Sequence, residues 1–139
     1  MYARIGEIFE HTEIMDEETI SEFAHLIGDL NPLHHDRPAA EASRFGGIIA
    51  SGPHCASILL AQAANYFSER TSMVGLEFSL KFKGPARPGD VLLFRWEVMD
   101  VVWNEKLGGD IVSLAGYVSD STGTEILTSQ GKILVSESL

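Results

Sequence analysis

The chain has 139 residues, 45 % hydrophobic and 22 % charged, which is enough for one packed domain and too apolar for a disordered chain. Ten Lys and Arg stand against twenty Asp and Glu, and the net charge of −10 argues against a surface that grips nucleic-acid phosphates. A single cysteine, Cys55, excludes an internal disulfide or a cysteine-built zinc cage, and no leader, membrane span or lipid anchor is expected, so the reading is a cytoplasmic chain in a reducing setting.

A strand is expected within 5–14, followed by a helix over 16–27 whose Ile20, Phe23, Ala24 and Ile27 share one face. Asp16 reads as its N-cap, Glu17 and Glu18 suit the first turn, and Gly28 suits the position just past its end. Asn31 precedes a proline, which favours extended geometry, and a short helix is expected to restart at Pro38. Arg44 to Gly52 carries Gly46-Gly47 and reads as irregular. Residues 53–67 read as a helix whose polar His54, Ser57, Gln62 and Asn65 fall within an arc of roughly 140°. Such a helix must be wrapped on most sides, with Leu59 and Ala63 facing the densest packing.

The rest is strand-rich. Val74, Leu76, Phe78, Leu80 and Phe82 alternate with Gly75, Glu77, Ser79, Lys81 and Lys83, the pattern of a half-buried strand. Further strands are expected over 91–103, 110–119 and 125–135, joined at Gly84–Asp90, Gly108-Gly109 and Asp120–Gly123. These connections predict an antiparallel meander wrapped around one long helix, an α+β fold over a single domain, 1–139. An open sheet edge invites pairing with a second copy, so a homodimer or higher homo-oligomer is expected.

The chemistry concentrates in Gly28-Asp29-Leu30-Asn31-Pro32-Leu33-His34-His35-Asp36. A carboxylate and an imidazole stand five residues apart, and such a pair can move protons near neutral pH. A water held between Asp29 and His34 could lose a proton to one while the other delivers one. The same residue types also compose ordinary turns, and composition by itself favours a purely structural loop over a catalytic one. His35 reads as a bystander whose loss is mild. A metal site at His34, His35, Asp36 and His54 is disfavoured because adjacent histidines rarely converge on one ion. Cys55 on an apolar helix reads as packing rather than a nucleophile. His11 and His25 read as surface or structural residues. Lys81, Lys83, Arg44 and Arg87 read equally as solvated residues or as partners for phosphates.

The run Gly28-Asp29-x-Asn31-Pro32-x-His34-x-Asp36, then Ala40 and Phe45-Gly46-Gly47-Ile48-Ile49-Ala50-x-Gly52, resembles the hydratase 2 motif of MaoC-like (R)-specific enoyl-CoA hydratases. Arg87-Pro88-Gly89-Asp90 resembles that family's turn between long strands. The resemblance implies a hotdog fold and a hydro-lyase that reversibly adds water to a trans-2-enoyl thioester of CoA or acyl carrier protein. It implies that Asp29 and His34 are catalytic, that Asn31 helps fix the loop and its water, and that Ser51 and Gly52 meet the substrate. Gly52 N–H, at a helix start, would steady the enolate-like oxygen. No metal or redox cofactor is implied.

Two positions depart from the family's pattern. Ser51 stands where His is common, and Pro53 stands where an apolar residue with an N–H is common, which removes one possible donor. Two rivals remain: a hotdog thioesterase, and a catalytically silent partner of an active dehydratase chain.

Overall fold

A computed structural model describes residues 2–138. The elements in chain order are β1 (Ile8–Ile14), α1 (Glu17–Leu26), α2 (Arg37–Glu41), α3 (Gly52–Ser68), β2 (Ser72–Phe82), β3 (Val91–Asn104), β4 (Gly109–Ser119) and β5 (Glu125–Ser136), with a 3-10 turn over Pro32–His34. Helix α1 begins where its cap dictates: the Asp16 carboxylate accepts the Thr19 N–H. It ends at Gly28, whose φ of +76° is the left-handed conformation that glycine adopts without strain.

The five strands form one antiparallel sheet in the order β1-β3-β4-β5-β2, and α3 packs across its inner face. Leu59, Ala63 and Phe67 of α3 are fully buried against Leu92, Phe94, Trp96 and Val98 of β3 and Val112, Leu127 and Ile133 of its neighbours. Trp96 fixes the helix height, because its indole N–H donates to the Leu59 carbonyl at 2.8 Å. Its ring lies over Gly116, its cross-strand partner, where an added Cβ would come within 2.4 Å of the ring. Leu59 and Ala63 thus occupy the dense side, as the helical spacing predicts.

Three features differ from the sequence reading. The meander covers only β3-β4-β5, and β2 pairs with β5 instead of β3. The segment from Lys83 to Asp90 is no hairpin turn. Its backbone is taken up by other elements: Lys83 and Gly84 N–H by Ile126 O, Ala86 O by Ala50 N–H, and Gly89 N–H by Met15 O. It therefore crosses the end of the sheet and delivers β3 beside β1. Second, the alternating apolar row of β2 is only weakly buried. Val74, Leu76, Leu80 and Phe82 are exposed, because β2 is an edge strand with a bulge between Gly75 and Glu77. Third, α3 is wrapped on most sides, as expected, but its open stripe runs along Pro53, Ser57, Ala61 and Asn65 rather than along the whole polar arc. His54, read as part of the polar arc, is instead buried and stacked on Phe23 of α1 at 4.5 Å.

Candidate active site

Asp29 and His34 lie on the loop between α1 and α2, and the chain brings them together. His34 Nε2 is 3.4 Å from Asp29 Oδ2. His34 is 5 % exposed, and Asp29 is half-buried. Each is held by main-chain partners. The His34 Nδ1–H donates to the Ile49 carbonyl at 2.7 Å. Since a carbonyl only accepts, Nδ1 carries a hydrogen, and in the neutral ring Nε2 then presents a lone pair. Asp29 Oδ1 accepts the Asn31 N–H at 3.0 Å, and Asp29 N–H donates to Ala24 O at 2.8 Å.

Asn31 faces its own loop. Its Oδ1 accepts the Leu33 N–H at 3.1 Å, which starts the 3-10 turn that carries His34. Two bonds tie this loop to the strand-like segment that leads into α3: Ile49 N–H to Leu33 O, and His34 to Ile49 O. Ile49 is three residues before Gly52, so the pair is coupled by backbone to the α3 N-terminus. At that end, Gly52 N–H is a first-turn donor with no acceptor inside the helix, and Pro53 contributes none. The Phe82 ring rests on Gly52, where an added Cβ would lie 2.8 Å from it. Ser51 caps α3 by position only. Its hydroxyl is buried and has no partner among the described residues.

Other candidates resolve into structure. Burial pushes the Cys55 thiol up to about 12, which leaves it protonated and unreactive near neutral pH. Burial lowers the His54 pKa, opposed by the carboxylates of Glu13 and Asp16. Arg87 donates to the Phe45 carbonyl at 2.5 Å and holds the glycine-bearing part of the motif. Lys83 pairs with Glu125 at 2.9 Å, and Lys81 and Arg44 are exposed. Among the described residues no three His, Cys, Asp or Glu side chains converge as a metal site. A broad groove on the outer face of the sheet, beside Lys81, Arg95, Glu97 and Tyr117, holds none of the motif residues.

Sequence reasoning missed three contributors. Phe82 reads as an inward residue of a half-buried strand, yet it is 58 % exposed and covers the helix start. The Ile49 carbonyl sets the His34 tautomer, but main-chain acceptors have no signature in residue type. His35, whose loss is expected to be mild, makes a contact that its residue type does not announce: its Nε2–H donates to the Asp29 carbonyl at 2.8 Å.

One twisted antiparallel sheet around a long central helix defines a hotdog-fold protein. A family model described as "MaoC like domain" matches residues 3–118, and the chain belongs to that MaoC-like dehydratase and hydratase family. A UPF0336 protein of Streptomyces griseus is 31 % identical over 84 % of this chain and 81 % of its own. A 3-hydroxybutyryl-CoA dehydratase of Methylorubrum extorquens is 30 % identical over 66 % of this chain and 60 % of its own. The unliganded R-hydratase PhaJ1 of Pseudomonas aeruginosa superposes with a TM-score of 0.85 at 24 % identity, covering 97 % of this chain and 83 % of that one. No helix is long and apolar enough to cross a membrane among the described residues.

Proposed function

We propose that the protein reversibly hydrates a trans-2-enoyl thioester, on CoA or an acyl carrier protein, to the (R)-3-hydroxyacyl thioester. The observation that carries this reading is the pair of acceptors at the site. With Nδ1–H committed to Ile49, the neutral His34 ring faces Asp29 Oδ2 through Nε2 at 3.4 Å with no hydrogen of their own between them. A water has two hydrogens and can donate one to each, which leaves an oxygen lone pair directed outward. That is the geometry a nucleophilic water needs.

In the hydration direction the water oxygen bonds to the β-carbon of the enoyl group while His34 Nε2 takes one of its protons. Asp29 balances the imidazolium charge at short range. The C=C electrons move onto the thioester oxygen, and the pair then returns a proton to the α-carbon, so that one water is added and nothing else changes. Gly52 N–H and the positive end of α3 stand as donors for the enolate-like oxygen. Dehydration of the (R)-3-hydroxyacyl thioester is the same path reversed. Hydrolysis of the thioester would place the water at the carbonyl carbon, and the free-thiol product distinguishes that outcome.

A second copy completes the assembly in this reading. Edge strand β2 offers an unpaired main-chain row with exposed Val74, Leu76, Leu80 and Phe82, which a second β2 would cover.

The test uses trans-2-enoyl-CoA substrates of graded chain length. Loss of the conjugated thioester absorbance, without thiol release, and an (R)-configured product are expected. Thiol release without loss of the double bond, or no reaction across the panel, refutes the proposal.

A further inference from the structure

His35 follows His34 in sequence, but its ring does different work. The two ring centroids lie 6.2 Å apart with planes at 79°. His35 Nε2 is 2.8 Å from the Asp29 carbonyl, and Nδ1 is 2.8 Å from Ser21 Oγ. The carbonyl only accepts, so Nε2 carries a hydrogen, and in the neutral ring Nδ1 then accepts the Ser21 hydroxyl hydrogen. In their neutral forms the adjacent histidines therefore take opposite tautomers, since His34 carries its hydrogen on Nδ1. His25 lies over the His35 ring with centroids 3.9 Å apart. Ser21 and His25 are four residues apart on α1, one above the other on the same face, so α1 orients His35 from two points.

The consequence falls on Asp29. Its N–H is held by Ala24 O of α1, and its C=O is held by a ring that α1 orients. The preceding Gly28 has a φ of +76° and the following Leu30 is exposed. Among the described residues, His35 is the hydrogen-bond partner of the Asp29 carbonyl and no other grips it. Rotation of the Asp29–Leu30 peptide would carry the carboxylate away from His34 Nε2. We propose that His35 is a positioning residue for Asp29, held in orientation by Ser21 and His25 of α1. This rests on the reading of Asp29 and His34 as the proton-transfer pair.

The test compares His35→Ala, His35→Asn and His35→Gln. The glutamine amide nitrogen can stand where Nε2 stands and donate to the Asp29 carbonyl; the asparagine amide nitrogen corresponds to Nδ1 and cannot. His35→Ala and His35→Asn are expected to lower kcat about 10- to 100-fold with KM changed less than about twofold, the upper end being the scale of a catalytic group misplaced by about 1 Å. His35→Gln is expected within about threefold of the wild-type kcat. The amide 1H and 15N shifts of Asn31, whose N–H donates to Asp29 Oδ1, form a readout that needs no turnover. They should move in His35→Ala and His35→Asn and return in His35→Gln. Wild-type kcat in His35→Ala, a glutamine variant no better than the asparagine one, or an undisturbed Asn31 amide overturns the proposal. If the wild-type protein hydrates no enoyl thioester, the functional reading falls by itself. The Asn31 shifts then decide the positioning role alone: movement with rescue supports it, and no movement overturns it.

Discussion

Replacing His34 separates its two jobs, because each ring nitrogen has its own. Nδ1–H satisfies the Ile49 carbonyl at 2.7 Å in a site where His34 is 5 % exposed, and Nε2 faces Asp29. His34→Ala removes both and leaves the buried Ile49 carbonyl without a donor, at a cost of about 1–3 kcal/mol. For a chain of this size each kcal/mol moves Tm by roughly 3–5 °C, so a fall of about 3–15 °C is expected. His34→Asn is the informative partner. Its amide nitrogen occupies the place of Nδ1 and can still donate to Ile49, while nothing stands at Nε2. The asparagine variant should therefore melt within a few degrees of wild type yet lose at least about a hundredfold in kcat, the usual contribution of a general acid–base group. Thermal melts and hydration kinetics on both variants supply the test. Asparagine turnover within about fivefold of wild type refutes the role given to Nε2. Equal melting of the alanine and asparagine variants refutes the role given to Nδ1.

Other outcomes follow from the geometry. Leu76→Lys with Leu80→Lys on β2 should convert the expected dimer to a monomer by light scattering; an unchanged mass refutes pairing through that edge. Cys55 should resist alkylation at pH 8 in the folded protein and react on unfolding, since burial holds its pKa at about 12; rapid modification of the native protein contradicts that. His54 has a folded pKa below its unfolded value, so the unfolded chain binds more protons and stability should fall as pH drops below about 6.5. His54→Gln should remove that part of the slope in urea midpoints, and an identical pH profile in the variant refutes the assignment.

Much of the fold is legible because local rules decided it. Asp16 and Gly28 bound α1 by capping, and the apolar run after Pro53 can only be a helix against a sheet. The motif residues Asp29 and His34 do meet, since the Asn31 side chain and Pro32 fold the intervening loop into a 3-10 turn. The place of β2 is not local information. Its alternation is that of any half-buried strand, and the choice of β5 as neighbour comes from where the segment after Lys83 spends its hydrogen bonds. The contacts of His35 are hidden in the sequence for a related reason: its partners are a hydroxyl 14 residues back and a main-chain carbonyl, and neither is marked by a spacing.

The α3 N-terminus makes a prediction whose sign opposes the usual rule. A serine at N-cap ordinarily accepts from the second or third helical N–H, and its loss costs about 1 kcal/mol. Here the second residue is Pro53, which has no N–H, and the third, His54, donates its N–H to the Ser51 carbonyl at 3.0 Å. The Ser51 hydroxyl makes no cap bond and is buried without a partner. The cap therefore stabilises nothing, and the buried hydroxyl is a desolvated group that folding leaves unsatisfied. Ser51→Ala should leave stability unchanged or raise it by up to about 1 kcal/mol, read as a shift in the urea midpoint at constant slope. Gly52 N–H is the first-turn donor that the helix start keeps free, so the same variant should retain kcat if that amide alone meets the thioester oxygen. A drop in kcat with stability held would instead assign the hydroxyl to the substrate. A destabilisation near 1 kcal/mol would mean that Ser51 caps α3 after all, and the argument that Gly52 N–H stands unclaimed would fail with it.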